Sequence, residues 1–371
     1  MVSLAKRAVK SQIPEVGIIK LKQLHSSMNR LVLKFRNFCD ELVLQLCIRS
    51  PLLSSLYYAF TSPAFRREHH GVIHGKLKYA ENLKLAQDSN YLLRRNIHRL
   101  EKGLIMQPRR DTFATEYIVE TVESYKNALL VRQNWSFTDE LQWAHDVLQQ
   151  YFSVVASEPT IDQAREKFFR LEPLCSNNPL VPYKRDLSNP SSVSYDQFLG
   201  LCYRRRSVRW YLQKPVLRDL FDQAIAAANL SPSACNRQPF EFRIFDEPEL
   251  VQKVSSVPMG TKGFNHNFPA IVVVVGKLRA YFSERDRHVI YIDGALASMS
   301  FMYALETLGL SSCPINWPEM EPQESQMATL LNLEPDERVI MLISVGYPDP
   351  DGMVPYSQKK PLHQIRRYNE L

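Results

Sequence analysis

Two short segments of this 371-residue chain hold the side chains best suited to chemistry. The first, Arg204-Arg205-Arg206-Ser207-Val208-Arg209, crowds four guanidinium groups around one hydroxyl. Arginine presents paired N–H donors whose geometry matches phosphate oxygens, so this turn suits a phosphate, a charged helix end being the plainer alternative. The second, Ser231-Pro232-Ser233-Ala234-Cys235-Asn236-Arg237-Gln238-Pro239-Phe240, offers the amides of Asn236 and Gln238, which each donate and accept. A ring with alternating carbonyls and nitrogens along its edge, such as an isoalloxazine, requires both capacities. Pro232 and Pro239 stiffen the loop that presents them. Together the two segments read as a cradle for a flavin.

The order RRSVR, helix, SPSACNRQPF resembles the FMN-dependent nitroreductase family over residues 195–371. Further segments stand in that family's order. They are Phe264-Asn265, the apolar run 269–276, Asp293-Gly294-Ala295 opening an apolar helix, Cys313-Pro314-Ile315-Asn316-Trp317, the apolar run 338–346 and Lys359-Lys360. The resemblance implies an α+β, nitroreductase-like fold with a mixed sheet flanked by helices. It implies FMN gripped at its phosphate and ribityl chain by Arg205, Ser207 and Arg209, with Arg206 on the ribityl side. It also implies a homodimer with two shared sites, Pro232, Ser233, Asn236 and Gln238 packing on the flavin of the other subunit. Asn265 falls near the pyrimidine edge, with a loop cap as its other reading. Lys360, and less closely Lys359, falls at the phosphate. The implied reaction passes hydride from NAD(P)H through flavin N5 to a small-molecule acceptor, nitroaromatic or quinone-like in vitro, and names no catalytic acid or base in the protein.

Two departures from the family pattern matter. Asn316-Trp317 stands where many members have Glu-Gly; a backbone donor to N5 survives that change, whereas Trp317 narrows the pocket, stacks on a substrate or, as a lone Trp more often does, packs in a core. The lysine that some members carry shortly after the residue matching Asn265 is absent, with Phe268 standing nearby. No G-x-G-x-x-G follows a strand, which argues against a separate dinucleotide-binding domain.

The elements that must position these residues divide the chain in three. Apolar residues recur at three and four positions over 20–60 and 76–106, and this predicts amphipathic helices, with Leu92, Leu93, Ile97, Leu100, Leu104 and Ile105 on one face and Pro108 at its end. Helices are also expected over 118–133 and 139–155. Residues 1–172 thus read as a helical basic domain, 173–194 as a Ser/Asn/Pro-rich linker and 195–371 as the FMN-binding domain. In the last, helices are expected at 195–202, 216–229, 292–308 and 324–331, and strands at 240–245, 271–275 and 339–345.

Composition bounds the rest. The length allows two domains, since single cores rarely exceed roughly 250–300 residues. Cysteines 39, 47, 175, 202, 235 and 313 form no CxxC pair, so neither a disulfide framework nor a thiolate metal site is expected and a reducing cytoplasm fits best. No secretory leader is read, and the apolar stretch 42–60 carries Arg49 and Pro51, which argues for buried or interfacial helix over a membrane span. Residues 1–110 hold 20 Lys and Arg against 7 Asp and Glu, net +13, which leaves −6 for the remainder of a chain of net +7. That asymmetry is a solvated basic surface or a peripheral contact with an anionic surface; no nucleic-acid partner is expected. The second reading carries an alternative function, a flavin-fold accessory protein at polyanions or a membrane surface, in polysaccharide assembly, with little turnover. His70 and His74 are spaced for one helical metal face, but no nearby carboxylate completes the set and Gly71 and Gly75 weaken the helix, so no metal is expected. His98-Arg99-Leu100-Glu101-Lys102 reads as intrahelical pairing, and Cys235 as a packed small residue.

Overall fold

The computed structural model describes residues 15–85, 90–131, 138–174 and 178–370. Cys175, Asn177 and the expected helical positions 132–133 lie outside them, as do residues 86–89 of the helical run 76–106. Two compact units emerge, Met1–Arg66 and Arg67–Leu371. The first contains α1, Glu15–Cys47, and α2, Pro51–Phe60. The single run expected over 20–60 breaks between them because Ser50 is extended and its side chain accepts from the Leu52 amide at 3.3 Å, while Pro51 fills the first helical position, where its missing N–H costs nothing.

The second unit opens with α3, Arg66–Leu85, followed by α4, Tyr91–Leu104, α5, Ile118–Val131, α6, Thr138–Val154, and α7, Pro159–Phe169. The last four share one core. Leu93, Ile97 and Leu100 of α4 meet Val122 and Tyr125 of α5, Leu148 and Tyr151 of α6 and Phe168 of α7, all buried. Each such side chain stabilises by about 1.5–3 kcal/mol relative to exposure. The apolar face expected on α4 is present except at Ile105, which is 59% exposed because the helix ends at Leu104 and its phase is lost one residue later.

The remaining elements are α8, Tyr195–Arg204, α9, Arg218–Asn229, β1, Phe240–Phe245, α10, Pro248–Ser255, β2, Ala270–Lys277, α11, Val289–Thr307, β3, Ser311–Asn316, α12, Glu321–Leu331, β4, Glu337–Gly346, and α13, Leu362–Ile365. Four strands form one sheet in the order β1-β2-β4-β3, with all three ladders antiparallel. Its parallel component is a single bridge between Ser207 and Ser312. Helices cover both faces, so β2 is buried at every position from Ala270 to Gly276. Val272 and Val274 face a core with Phe221 of α9 and Phe301 and Leu305 of α11. Ile271, Val273 and Val275 face the opposite core, with Val251 and Val254 of α10, Met327 of α12 and Trp317. The strand β3, not expected from sequence, is tolerated despite Pro314 because it lies at the sheet edge, where the missing N–H faces away from β4.

Helix α3 lies against the sheet end through two glycines one turn apart. A Cβ on Gly71 would sit 2.7 Å from the Pro335 carbonyl oxygen, and one on Gly75 2.9 Å from the Leu278 backbone. Beside them His74 Nδ1 lies 2.9 Å from Asp336, and Glu334 approaches the same place, so carboxylates distant in sequence do reach His74. The cationic position at Asp336 is filled by the buried guanidinium of Arg279, which donates two bonds of 2.7 and 2.8 Å. Gly75→Ala should therefore destabilise. Helix propensity favours Ala by about 1 kcal/mol, but overpacking against immobile backbone costs about 1–3 kcal/mol, and urea unfolding should show a net loss where an unconstrained helix would gain.

Candidate functional site

The arginine-rich turn is set by the end of α8 and by the free edge of the sheet. Helix α8 starts with a capping box, in which Ser194 Oγ accepts from the Gln197 amide at 3.2 Å and Gln197 accepts from the Ser194 amide at 2.8 Å. Beyond its last residue the chain turns extended, and the Val208 amide donates to the Ser312 carbonyl at 3.1 Å, which places Ser207 and Arg209 beside β3. Tyr211 locks the turn from behind, its hydroxyl donating to the Val208 carbonyl at 2.7 Å.

Arg205, Arg206 and Arg209 are half-buried, and among the described residues no carboxylate lies within ion-pair distance of them. The fourth arginine, Arg204, pairs at 3.5 Å with Glu306, a buried side chain whose carboxyl is pushed up by desolvation. Burial likewise pushes the Cys313 thiol up, while the Arg209 and Arg205 guanidiniums and a bond from Ser207 pull it down. Ser312 Oγ is fully buried with no hydrogen-bond partner among the described residues. Three unpaired guanidiniums next to Ser207 and an orphaned hydroxyl form a donor set that fits a phosphate. The Asn265 turn packs on the same group. The Arg209 guanidinium lies 5.7 Å from the Phe264 ring centre, Asn267 Nδ2 donates to the Arg209 carbonyl at 2.8 Å, and Asn265 Nδ2 reaches Ser255 Oγ at 3.5 Å. Asn316, at the end of β3, is exposed. Trp317 is buried in the core and its indole N–H donates to Glu324 at 2.5 Å, so its ring packs and does not line a pocket.

The loop 232–238 is built elsewhere. Cys235, Asn236 and Gln238 all take left-handed φ values of 50–53°, a costly run for non-glycine residues that needs external support. Ser233 Oγ accepts from the Gln238 amide at 3.1 Å, and the Ala234 amide donates to Asp293 Oδ2 at 3.0 Å. Asp293 is buried, accepts also from the Tyr281 hydroxyl at 3.2 Å, and has its carboxyl pushed up by desolvation. Arg94 of α4 supplies the rest of the support. Its Nε donates to the Asn236 carbonyl at 2.8 Å, its Nη2 to Gln238 Oε1 at 2.8 Å and its Nη1 to Glu140 at 3.1 Å. The Gln238 amide nitrogen in turn donates to Asn229 Oδ1 at 2.7 Å, so both ends of this side chain are engaged within the chain. The Asn236 backbone N–H donates to the Ser233 carbonyl at 2.9 Å, while its side-chain carboxamide has no hydrogen-bond partner among the described residues, and Pro232 is exposed. Lys359 and Lys360 lie in a tail, residues 353–370, that is exposed along its whole length.

The structure therefore places Arg205, Arg206, Ser207 and Arg209 in one group, with the turn that holds Asn265 packed on it through Phe264 and Asn267, and Ser233, Asn236 and Gln238 in another. The two groups attach to opposite ends of α11, at Glu306 and at Asp293, thirteen residues apart and hence about 20 Å along the helix axis. Sequence reasoning missed Arg94, Asp293, Glu306 and Ser312. Asp293 and Ser312 stood inside or beside quoted motifs, whereas Arg94 carried no signal, its partners lying 142 and 144 residues away. The cluster at His98 is spent locally, His98 Nδ1 lying 3.4 Å from Glu101 and Glu101 accepting from Trp143 at 2.9 Å.

Comparison with known proteins adds a family. Residues 203–262 and 256–347 match the nitroreductase family. Iodotyrosine deiodinase 1 of Pongo abelii is 22% identical over 254 residues, covering 60% of this chain and 84% of that protein. A protein of Archaeoglobus fulgidus named as an NADH dehydrogenase/NAD(P)H nitroreductase is 29% identical over 157 residues, covering 41% and 86%. Among solved structures, one titled FMN-dependent nitroreductase from Clostridium difficile aligns with a TM-score of 0.40 at 23% identity, over 47% of this chain and 99% of that one.

Arg94→Met should cost about 2–4 kcal/mol of stability, because it strands the half-buried Glu140 and frees the loop, and hydrogen exchange should quicken most at residues 235–238. The pH response of Asp293 has a definite sign. A carboxyl held above its ordinary range contributes stability that is present below the unfolded pKa of about 3.9 and is lost as pH rises through the folded value. Asp293→Asn keeps an acceptor for the Ala234 N–H without that loss. Its stability relative to the parent should rise from about pH 4 toward neutrality in urea titrations, and a difference that stays flat with pH counts against a raised Asp293.

Proposed function

Because residues 203–347 match the nitroreductase family, we propose that the protein is an FMN-dependent oxidoreductase working as a homodimer. FMN, when bound, would supply hydride acceptance from NAD(P)H and hydride delivery to a small-molecule acceptor. The observation that carries this reading is the donor set at β3, three half-buried guanidiniums without carboxylates around Ser207. Arg205, Arg209 and Ser207 would hold the phosphate and the adjoining ribityl chain, with Arg206 alongside. Lys359 and Lys360, exposed here, would reach a phosphate only after the tail docks.

The homodimer is supported by the span of α11. With the phosphate group of residues at one end and the 232–238 loop about 20 Å away at the other, a second copy would bring its own loop to the first copy's arginines. Exposed apolar side chains fit such a contact, among them Ile292 and Leu296 on α11, Leu230 before the loop, and Met353 and Tyr356 in the tail. In that arrangement Ser233 and the unpartnered side-chain carboxamide of Asn236 would face the ring edge, and Gln238 would act by fixing the loop. Asn265 would stand at the pyrimidine edge, and the backbone around Asn316 would offer an N–H near N5.

Arg209→Ala should weaken FMN binding by roughly tenfold to a hundredfold, the worth of a charge-assisted hydrogen bond, with little change in thermal unfolding of the flavin-free protein. Fluorescence titration with FMN measures the first and calorimetry the second. A full-length preparation that takes up no FMN, or whose FMN is not bleached by NADPH under anaerobic conditions, overturns the reading.

A further inference from the structure

The whole net charge of the chain sits in its first unit. Residues 1–66 hold ten Lys and Arg against three Asp and Glu, a net +7 equal to that of the entire protein, while residues 67–371 hold 36 of each sign. Among its described residues the same unit exposes many large apolar side chains. On α1, Leu31, Phe35 and Phe38 recur at four and three positions and are 71%, 69% and 59% exposed; on α2, Leu52, Leu56 and Phe60 recur at four, and no residue of that helix is buried. Arg30 and Lys34, both exposed, rise beside the α1 stripe. No described helix is long and apolar enough to cross a membrane. The ten residues of α2 rise only about 15 Å, half a hydrocarbon core.

We propose that α1 and α2 form an interfacial anchor that lies in the headgroup layer of an anionic lipid bilayer. Apolar side chains enter the acyl boundary while lysine and arginine stay at the phosphates, the arrangement that holds amphipathic helices at a membrane surface. Charge complementarity selects this occupant. A second copy would cover the apolar stripes but would bring another +7 against the first, and a nucleic acid would meet the charge but leave the phenylalanines and leucines in water. A bilayer containing acidic lipid satisfies both. The inference is independent of the flavin reading.

Flotation of the full-length chain with phosphatidylcholine vesicles, with and without phosphatidylglycerol, tests it. The protein should float with the anionic vesicles, far less with neutral ones, and less at high salt. Arg30→Glu/Lys34→Glu should weaken binding on the order of tenfold for each reversed charge, and Phe35→Asp/Phe38→Asp should abolish it. Both double variants should unfold at the parent temperature, since all four side chains are exposed. Failure of the parent to float, flotation that the double variants do not diminish, or a self-associated form that Phe35→Asp/Phe38→Asp dissolves without any vesicle binding would overturn the proposal.

Discussion

The constraint on which the candidate site depends is the span of one half-buried helix. Nineteen residues long and packed against the sheet, α11 holds Asp293 near its start and Glu306 near its end. Each of these carboxylates is buried at a cost and recovers part of it by holding a loop, Asp293 through the Ala234 amide and Glu306 through Arg204. Close packing makes the spacing rigid. A Cβ on Gly294 would sit 2.4 Å from the Ile340 Cδ1 methyl, so helix and sheet approach closely at that glycine. The arginine turn and the amide loop are thereby held apart at a fixed distance, and a cofactor gripped by both draws one from each of two copies in the proposed dimer.

Much of the sheet could be read from residues alone because its central strands are buried on both faces. Runs such as Ala270–Lys277 and Glu337–Gly346 are apolar with few interruptions, and Phe240–Phe245 has the boundaries that its sequence predicts. Edge strand β3 escaped because its pairing is one-sided, so it tolerates serines and Pro314 that weaken a strand pattern. The nitroreductase-like fold was legible for the same reason that the arginine turn was: several unusual segments recur in a fixed order.

The candidate site was legible in its residue types and not in its partners. Four arginines around a serine announce an affinity for anions, but not that Arg204 turns away to Glu306. The amide of Gln238 announces a capacity to donate and accept, but not that Arg94 and Asn229 use it. Two of these partnerships, Arg204 with Glu306 and Gln238 with Arg94, join residues more than a hundred positions apart, and no local pattern encodes them. The surroundings of His74 show the converse. Its spacing hid two carboxylates, and the fold supplies them together with the arginine that neutralises them.

Arg94 gives the helical lobe a stake in the loop. Because one guanidinium joins Glu140 of α6 to the backbone of Asn236, the conformational equilibria of lobe and loop share a free-energy term. Coupling of that kind is reciprocal. A ligand that favours the loop conformation held by Arg94 would favour the packing of α4 on α6 by the same free energy, and a loosening of those helices would weaken its binding equally, without the lobe touching what binds there.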